Sequence, residues 1–154
     1  FNQLQYCIEL IKKDPTSRRI LMTGWNPEQN DKMVLPPCHV SYQFYVNDNK
    51  LSCLMYQRSA DLFLGLPFNI ASTALLTMII AKECDLQPGK ITITIGDAHI
   101  YENHLTQVNK QFNNSHYDFP KVDFKKKKIN EYLFDDFKLS NYKCHAAIKA
   151  EMIA

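Results

Sequence analysis

The chain has no C-x-x-C pair, no glycine-rich phosphate loop and no Ser-His-Asp spacing. Its five cysteines (Cys7, Cys38, Cys53, Cys84 and Cys144) are odd in number and widely spaced. That argues against a disulfide framework or a zinc cluster, so no metal is expected, and it points to a reducing, cytoplasmic compartment. The net charge of +2 is too near neutral to argue for a nucleic-acid or membrane partner. No basic-then-apolar leader opens the chain, so no signal peptide is expected. One stretch, Leu62 to Ala81, carries no charge and reaches the ~20 residues of a membrane span. It also holds Gly65, Pro67, Asn69, Ser72, Thr73 and Thr77, and a buried helix beginning near Phe68 is the expected reading. What remains is a chain of 154 residues that is 45% hydrophobic, enough for one domain over 1–154 with a sizeable core.

Phe1, Leu4, Ile8 and Ile11 recur at helical spacing, and Asp14-Pro15 ends that helix. Arg19 to Trp25 reads as a strand and Pro27 to Met33 as a polar loop. Val40, Tyr42, Phe44 and Val46 alternate with polar neighbours, as a half-buried strand does. Asn47-Asp48-Asn49 is turn chemistry, and Lys50 to Ser59 returns. Asp61 to Leu66 is a short connection, and Pro67 opens a helix that runs to about Glu83. Pro88-Gly89 reads as a turn, Ile91 to Ile95 as a strand, Tyr101 to Phe112 as a helix, and Asn113 to Asp118 as a polar loop. Pro120 to Phe124 and Phe137 to Leu139 close the chain as short strands. Mixed elements with an antiparallel hairpin predict an α+β fold.

Centring the hairpin on Asp48 sets Cys38 opposite Arg58. Pro36 and Pro37 hold the entering backbone extended. A guanidinium beside a thiol favours the reactive thiolate, so Cys38 is a candidate nucleophile. Free cysteine is also ordinary core filling, and both readings stand on pattern alone. His39 would point to the other face of the strand and is a poor direct base. Arg18-Arg19 could clamp a phosphate or form a solvated face. Asn69 could cap the apolar helix or read a polar ligand edge. His99 and Tyr101, if extended, share a face suited to a sugar hydroxyl or to a satisfied strand end. Lys125 to Lys128 lacks interleaved aromatics and reads as a solvated loop.

Together these segments resemble thymidylate synthase. The matching strings are Ser17-Arg18-Arg19-Ile20, Trp25-Asn26-Pro27, Leu35-Pro36-Pro37-Cys38-His39, Gln43-Phe44-Tyr45-Val46, Leu51-Ser52-Cys53, Tyr56-Gln57-Arg58-Ser59-Ala60-Asp61, Leu64-Gly65-Leu66-Pro67-Phe68-Asn69-Ile70-Ala71-Ser72 and Gly96-Asp97-Ala98-His99-Ile100-Tyr101. Ile148-Lys149-Ala150-Glu151-Met152 resembles the family's closing segment. The likeness covers essentially the whole chain.

The resemblance implies a mixed, twisted sheet with flanking helices and a sheet-to-sheet homodimer. It implies reductive methylation of dUMP to dTMP, with 5,10-methylenetetrahydrofolate as cosubstrate. Cys38 would attack C6 of the uracil. Arg58 and Ser59 would bind the phosphate, with Arg18 and Arg19 reaching the neighbouring subunit's site. Gln57 would belong to the dUMP site, and Asn69 would read the O4 and N3 edge. His99 and Tyr101 would hold the ribose 3′-hydroxyl. Asp61 would meet the pterin, Leu64, Gly65 and Phe68 would line the folate site, and the tail to Ala154 would close over the ligands. In some lineages a dihydrofolate reductase domain is fused to or associated with the enzyme.

The chain departs from the family at Thr73, where tyrosine is common, and over Phe112 to Phe119. The family also carries a long segment ahead of the position of Phe1, with another phosphate-binding arginine, a proton-handling glutamate and tryptophans. Trp25 is the only tryptophan here, and the 154 residues alone are not expected to be active. Two other readings follow: a non-catalytic dimerisation or nucleotide-binding module, and a dCMP or dUMP hydroxymethylase of the same fold. Asn69 counts against the dCMP enzyme, because the siblings acting on dCMP carry Asp there.

Overall fold

The computed structural model describes residues 1–153. It forms two compact units, Phe1–His99 and the residues from Ile100 onward. In the first, helix α1 (Gln3–Lys13) starts at Asn2, whose side chain accepts from the Gln5 amide. Such a cap stabilises a helix by about 1 kcal/mol. Cys7, Ile8 and Ile11 are the buried face of α1.

Strands β1 (Leu21–Thr23), β2 (His39–Asn47), β3 (Lys50–Asp61) and β4 (Gln87–His99) form one sheet in that order. β1, β2 and β3 run antiparallel, whereas β3 and β4 are parallel. Helix α2 (Leu66–Glu83) makes the crossover between the parallel pair, which needs a connection of this length. The mixed α+β sheet is thus observed. Pro27–Lys32, expected as loop, is a 3-10 helix capped by Asn26. Pro88-Gly89, expected as a turn, lies inside β4. Gly89 fits there because a side chain at that position would collide with Ser52 Oγ and the Leu51 carbonyl.

Along β3, Leu51, Cys53, Met55 and Gln57 are buried, while Leu54 and Tyr56 between them are exposed. The period of two separates an inner face from an outer one. The core gathers Ile8, Ile20, Phe44, Leu51, Met55 and Ile80. α2 buries Thr73, Thr77, Ile80 and Ala81, and its two threonines bond backward to the Asn69 and Thr73 carbonyls. Phe68 and Ile70 on the same helix are exposed. Among the described residues no helix is long and apolar enough to cross a membrane.

The second unit contains a 3-10 turn (Glu102–His104), helix α3 (Leu105–Phe112) and the antiparallel pair β5 (Lys121–Asp123) and β6 (Lys138–Ser140). Phe124, Tyr132 and Phe137 pack their rings against one another.

Candidate active site

The β2–β3 hairpin turns at Asp48 and Asn49, both with positive φ, as a two-residue hairpin turn demands. Asn47 therefore pairs with Lys50, and the register runs unchanged to Ser41 opposite Tyr56. Continued straight, it would place Cys38 opposite Ser59. A bulge between His39 and Ser41 moves the register by one, so His39 faces Gln57. The Arg58 amide then donates to the Cys38 carbonyl at 2.9 Å. β1 holds the bulge in place, because the Val40 carbonyl accepts from Gly24 N–H at 3.0 Å and Thr23 Oγ1 at 2.8 Å.

The Cys38–Arg58 pairing expected from the hairpin is present, but the guanidinium does different work from that expected. Arg58 Nε donates to the Pro37 carbonyl at 3.1 Å and its terminal nitrogen to the Pro36 carbonyl at 2.7 Å. It makes no hydrogen bond to the Cys38 sulfur among the described residues. Proline carbonyls keep their acceptors when the ring removes the donor, so Pro36-Pro37 gives Arg58 two open oxygens. The cation clamps the loop that presents Cys38. Cys38 itself is half-buried, whereas Cys7 and Cys53 are fully buried. Burial pushes the Cys53 thiol up to about 11 and raises that of Cys7, which leaves both as inert core residues.

A second cluster forms where β3 ends and α2 begins. Asp61 Oδ1 accepts from the Phe63 and Leu64 amides, an Asx turn that folds the chain toward α2. Gly65 continues the turn, and a Cβ there would sit 3.1 Å from the Asp61 carbonyl. Asn69 is not the cap, since the N-cap of α2 is Gly65, with no side-chain cap bond. Instead Asn69 lies in the first turns of α2 with its Oδ1 accepting from Gln57 Nε2 at 2.8 Å. Gln57 Nε2 also donates to the Ser59 carbonyl at 2.9 Å. With 1% of its surface exposed, Gln57 stands behind Asn69 rather than at the surface. Its Oε1 is buried without a partner among the described residues.

At the far end of the parallel pair, Asp61 pairs with His99, and the Leu62 amide donates to the His99 carbonyl. His99 Nδ1 lies 2.9 Å from Asp97 Oδ1. Asp61, Asn69 and His99 therefore gather outside the carboxyl ends of β3 and β4, where open sheets with parallel strands take ligands. His39 does not join them. Its Nδ1 meets the Tyr42 hydroxyl at 2.8 Å, its Nε2 is buried without a partner among the described residues, and burial lowers its pKa. Arg18 and Arg19 are exposed on the turn before β1. Leu64 is half-buried and Phe68 is 75% exposed. Tyr101, in the second unit, follows the end of β4 and packs edge-on against His104 at 5.6 Å. Ala154 lies outside the described residues.

The supporting roles of Gln57 and of Gly96 were not read from the sequence. Gln57 announces itself only as a polar residue on the apolar side of an alternating strand. A Cβ on Gly96 would stand 2.9 Å from the Arg58 carbonyl, a constraint visible only once β4 is laid beside β3.

A family model described as thymidylate synthase matches residues 1–154. The chain belongs to the thymidylate synthase family. It is 53% identical over 152 residues to the thymidylate synthase of Mycoplasma pneumoniae, covering 98% of this chain and 53% of that protein. It is 50% identical over 151 residues to the thymidylate synthase of Staphylococcus haemolyticus, covering 97% of this chain and 48% of that protein. The chain thus spans about half the length of the curated thymidylate synthases it matches.

Proposed function

We propose that this chain carries the nucleophile-bearing portion of an enzyme that methylates dUMP to dTMP with 5,10-methylenetetrahydrofolate. The observation that carries the reading is the Cys38 loop clamped by Arg58 through the Pro36 and Pro37 carbonyls, with the Cys38 side chain half-buried rather than sealed in the core. In this reading Cys38 Sγ, as thiolate, forms a bond to C6 of the uracil. The C5–C6 π pair moves toward C5 and O4, and C5 becomes the nucleophile. The folate cosubstrate supplies the one-carbon unit and, leaving as dihydrofolate, the hydride. C5 loses its proton, and breaking the Sγ–C6 bond returns the thiolate and releases dTMP.

Asn69 donates from Nδ2 to O4, where negative charge grows, and its Oδ1 accepts from N3–H. The Gln57 bond to Oδ1 supports that orientation. A carboxylate could not donate to O4, which favours uracil over cytosine. Ser59 and Arg58 take the phosphate, and His99 and Tyr101 take the ribose hydroxyl. Asp61, with Oδ1 already committed to its turn, offers Oδ2 to the pterin, beside Leu64, Gly65 and Phe68. The C-terminal segment covers the bound ligands. The odd number and wide spacing of the cysteines suit a cytoplasmic setting.

Arg58 continues the outward alternation of Leu54 and Tyr56 on β3. A second copy packed on that sheet face would approach Arg58, which supports a homodimer in which Arg18 and Arg19 of the partner subunit complete the phosphate site.

The test is covalent capture. With 5-fluoro-dUMP and the folate cosubstrate, the full-length polypeptide is expected to form a mass-detectable adduct on Cys38. Cys38→Ser should abolish turnover while leaving dUMP binding largely intact. Near-wild-type activity in that variant, or turnover of dCMP but not dUMP, would overturn the proposal.

A further inference from the structure

Beyond Ser140 the described chain has no helix or strand, so its C-terminal segment lacks a backbone ladder to hold it. His104 supplies one tie. Its side chain is 0% exposed, and its Nε2 lies 2.7 Å from the Glu151 carbonyl oxygen. A carbonyl only accepts, so Nε2 carries the hydrogen and donates, as it does in the neutral Nε2–H tautomer and in the imidazolium alike. The Tyr101 ring packs against the imidazole at 73° and helps hold its plane. Met152, just past the tie, is 83% exposed. A fully buried donor thus grips the carbonyl of Glu151, a residue that is itself exposed.

We infer that His104 is a positioning residue that pins the C-terminal segment through the Glu151 carbonyl and sets where that segment closes. The functional half of this inference rests on the methylation reading above, in which the segment covers the ligands. The pinning itself does not.

Two substitutions separate the donor from the bulk. His104→Leu keeps volume and loses the donor, whereas His104→Gln offers an amide N–H at about the reach of Nε2. The readout is tryptic cleavage after Lys149, an exposed site in the segment, with cleavage after Lys12 and Lys13 as internal control. His104→Leu is expected to speed cleavage after Lys149 by about tenfold or more, because cleavage follows local opening. His104→Gln is expected to return it to within about threefold of wild type, with the control sites unchanged in both. In the active enzyme His104→Leu should raise KM for the folate cosubstrate about tenfold and leave KM for dUMP within about threefold.

Unchanged cleavage in His104→Leu, or failure of His104→Gln to restore it, overturns the pinning. Should His104→Leu not fold, NMR of the wild-type imidazole decides. A solvent-protected Nε2–H that is lost when the chain is cut back to Lys149 supports the tie, and equal protection in both overturns it. Failure of the 5-fluoro-dUMP adduct would remove the substrate assignment while leaving the cleavage result in force.

Discussion

Gln57 shows how much one buried amide can organise. It sits among Leu51, Cys53 and Met55 on the inner face of β3, and its Nε2 serves Ser59 and Asn69 together. Replacing it by leucine keeps the volume and leaves Asn69 Oδ1 without its donor. Losing a partner of this kind costs about 1–3 kcal/mol. We expect Gln57→Leu to lower kcat/KM for dUMP by about tenfold to a hundredfold, with discrimination against dCMP reduced, as steady-state kinetics on both nucleotides will show. His39 makes a prediction about pH. Burial holds its pKa below the ordinary 6.5, so as pH falls the unfolded chain binds the proton first. Stability contributed by the neutral ring is complete above 6.5 and is lost as pH falls toward the folded value. The urea midpoint should therefore drop between about pH 7.5 and about pH 5.5, and His39→Phe should flatten that drop. Neither role was legible beforehand. A polar residue in a strand gives no hint of its partner, and the alternation around His39 says nothing of its link to Tyr42.

The hairpin was legible because alternation and turn chemistry agree over Val40 to Ser59. The expected three-residue turn is in fact a two-residue turn, and the bulge at Val40 compensates, so the pairing of Cys38 with Arg58 survives for a reason the alternation does not contain. The extended β4 was hidden by Pro88-Gly89, which reads as a turn locally and is accommodated at the start of a strand that joins only β3. The helix Leu66–Glu83 emerged clearly from composition, yet its buried stripe is threonine, isoleucine and alanine, since two hydroxyls satisfied within the helix count as apolar surface. Gly96 lies where β4 passes closest to Arg58. Gly96→Ala pushes a methyl to 2.9 Å from the Arg58 carbonyl, and overpacking of this kind costs about 1–3 kcal/mol. Thermal melts should show a fall of about 2–4 °C per kcal/mol for a chain of this size. Adduct formation at Cys38 should slow as the Pro36-Pro37 clamp shifts.

At the scale of the whole molecule, the exposed Tyr45, Leu54 and Tyr56 mark the sheet face on which the proposed dimer would form. Sequence periodicity identifies such a face and says nothing about its occupant. A mixed dimer of Arg18→Ala and Cys38→Ala chains should regain activity at one of its two sites, measured as turnover after subunit exchange. No recovery would remove the shared phosphate site. The bulge at Val40 also bears on which length changes a homologous chain can absorb. Strand residues are counted by odd and even, and one extra residue converts the count from Ser41 onward into the opposite count for Cys38. Insertions in the polar segment before Leu35 leave that parity alone. Deletion of Val40 itself removes the bulge, keeps His39 opposite Gln57 and Cys38 opposite Arg58, and leaves the sulfur on its side of the sheet.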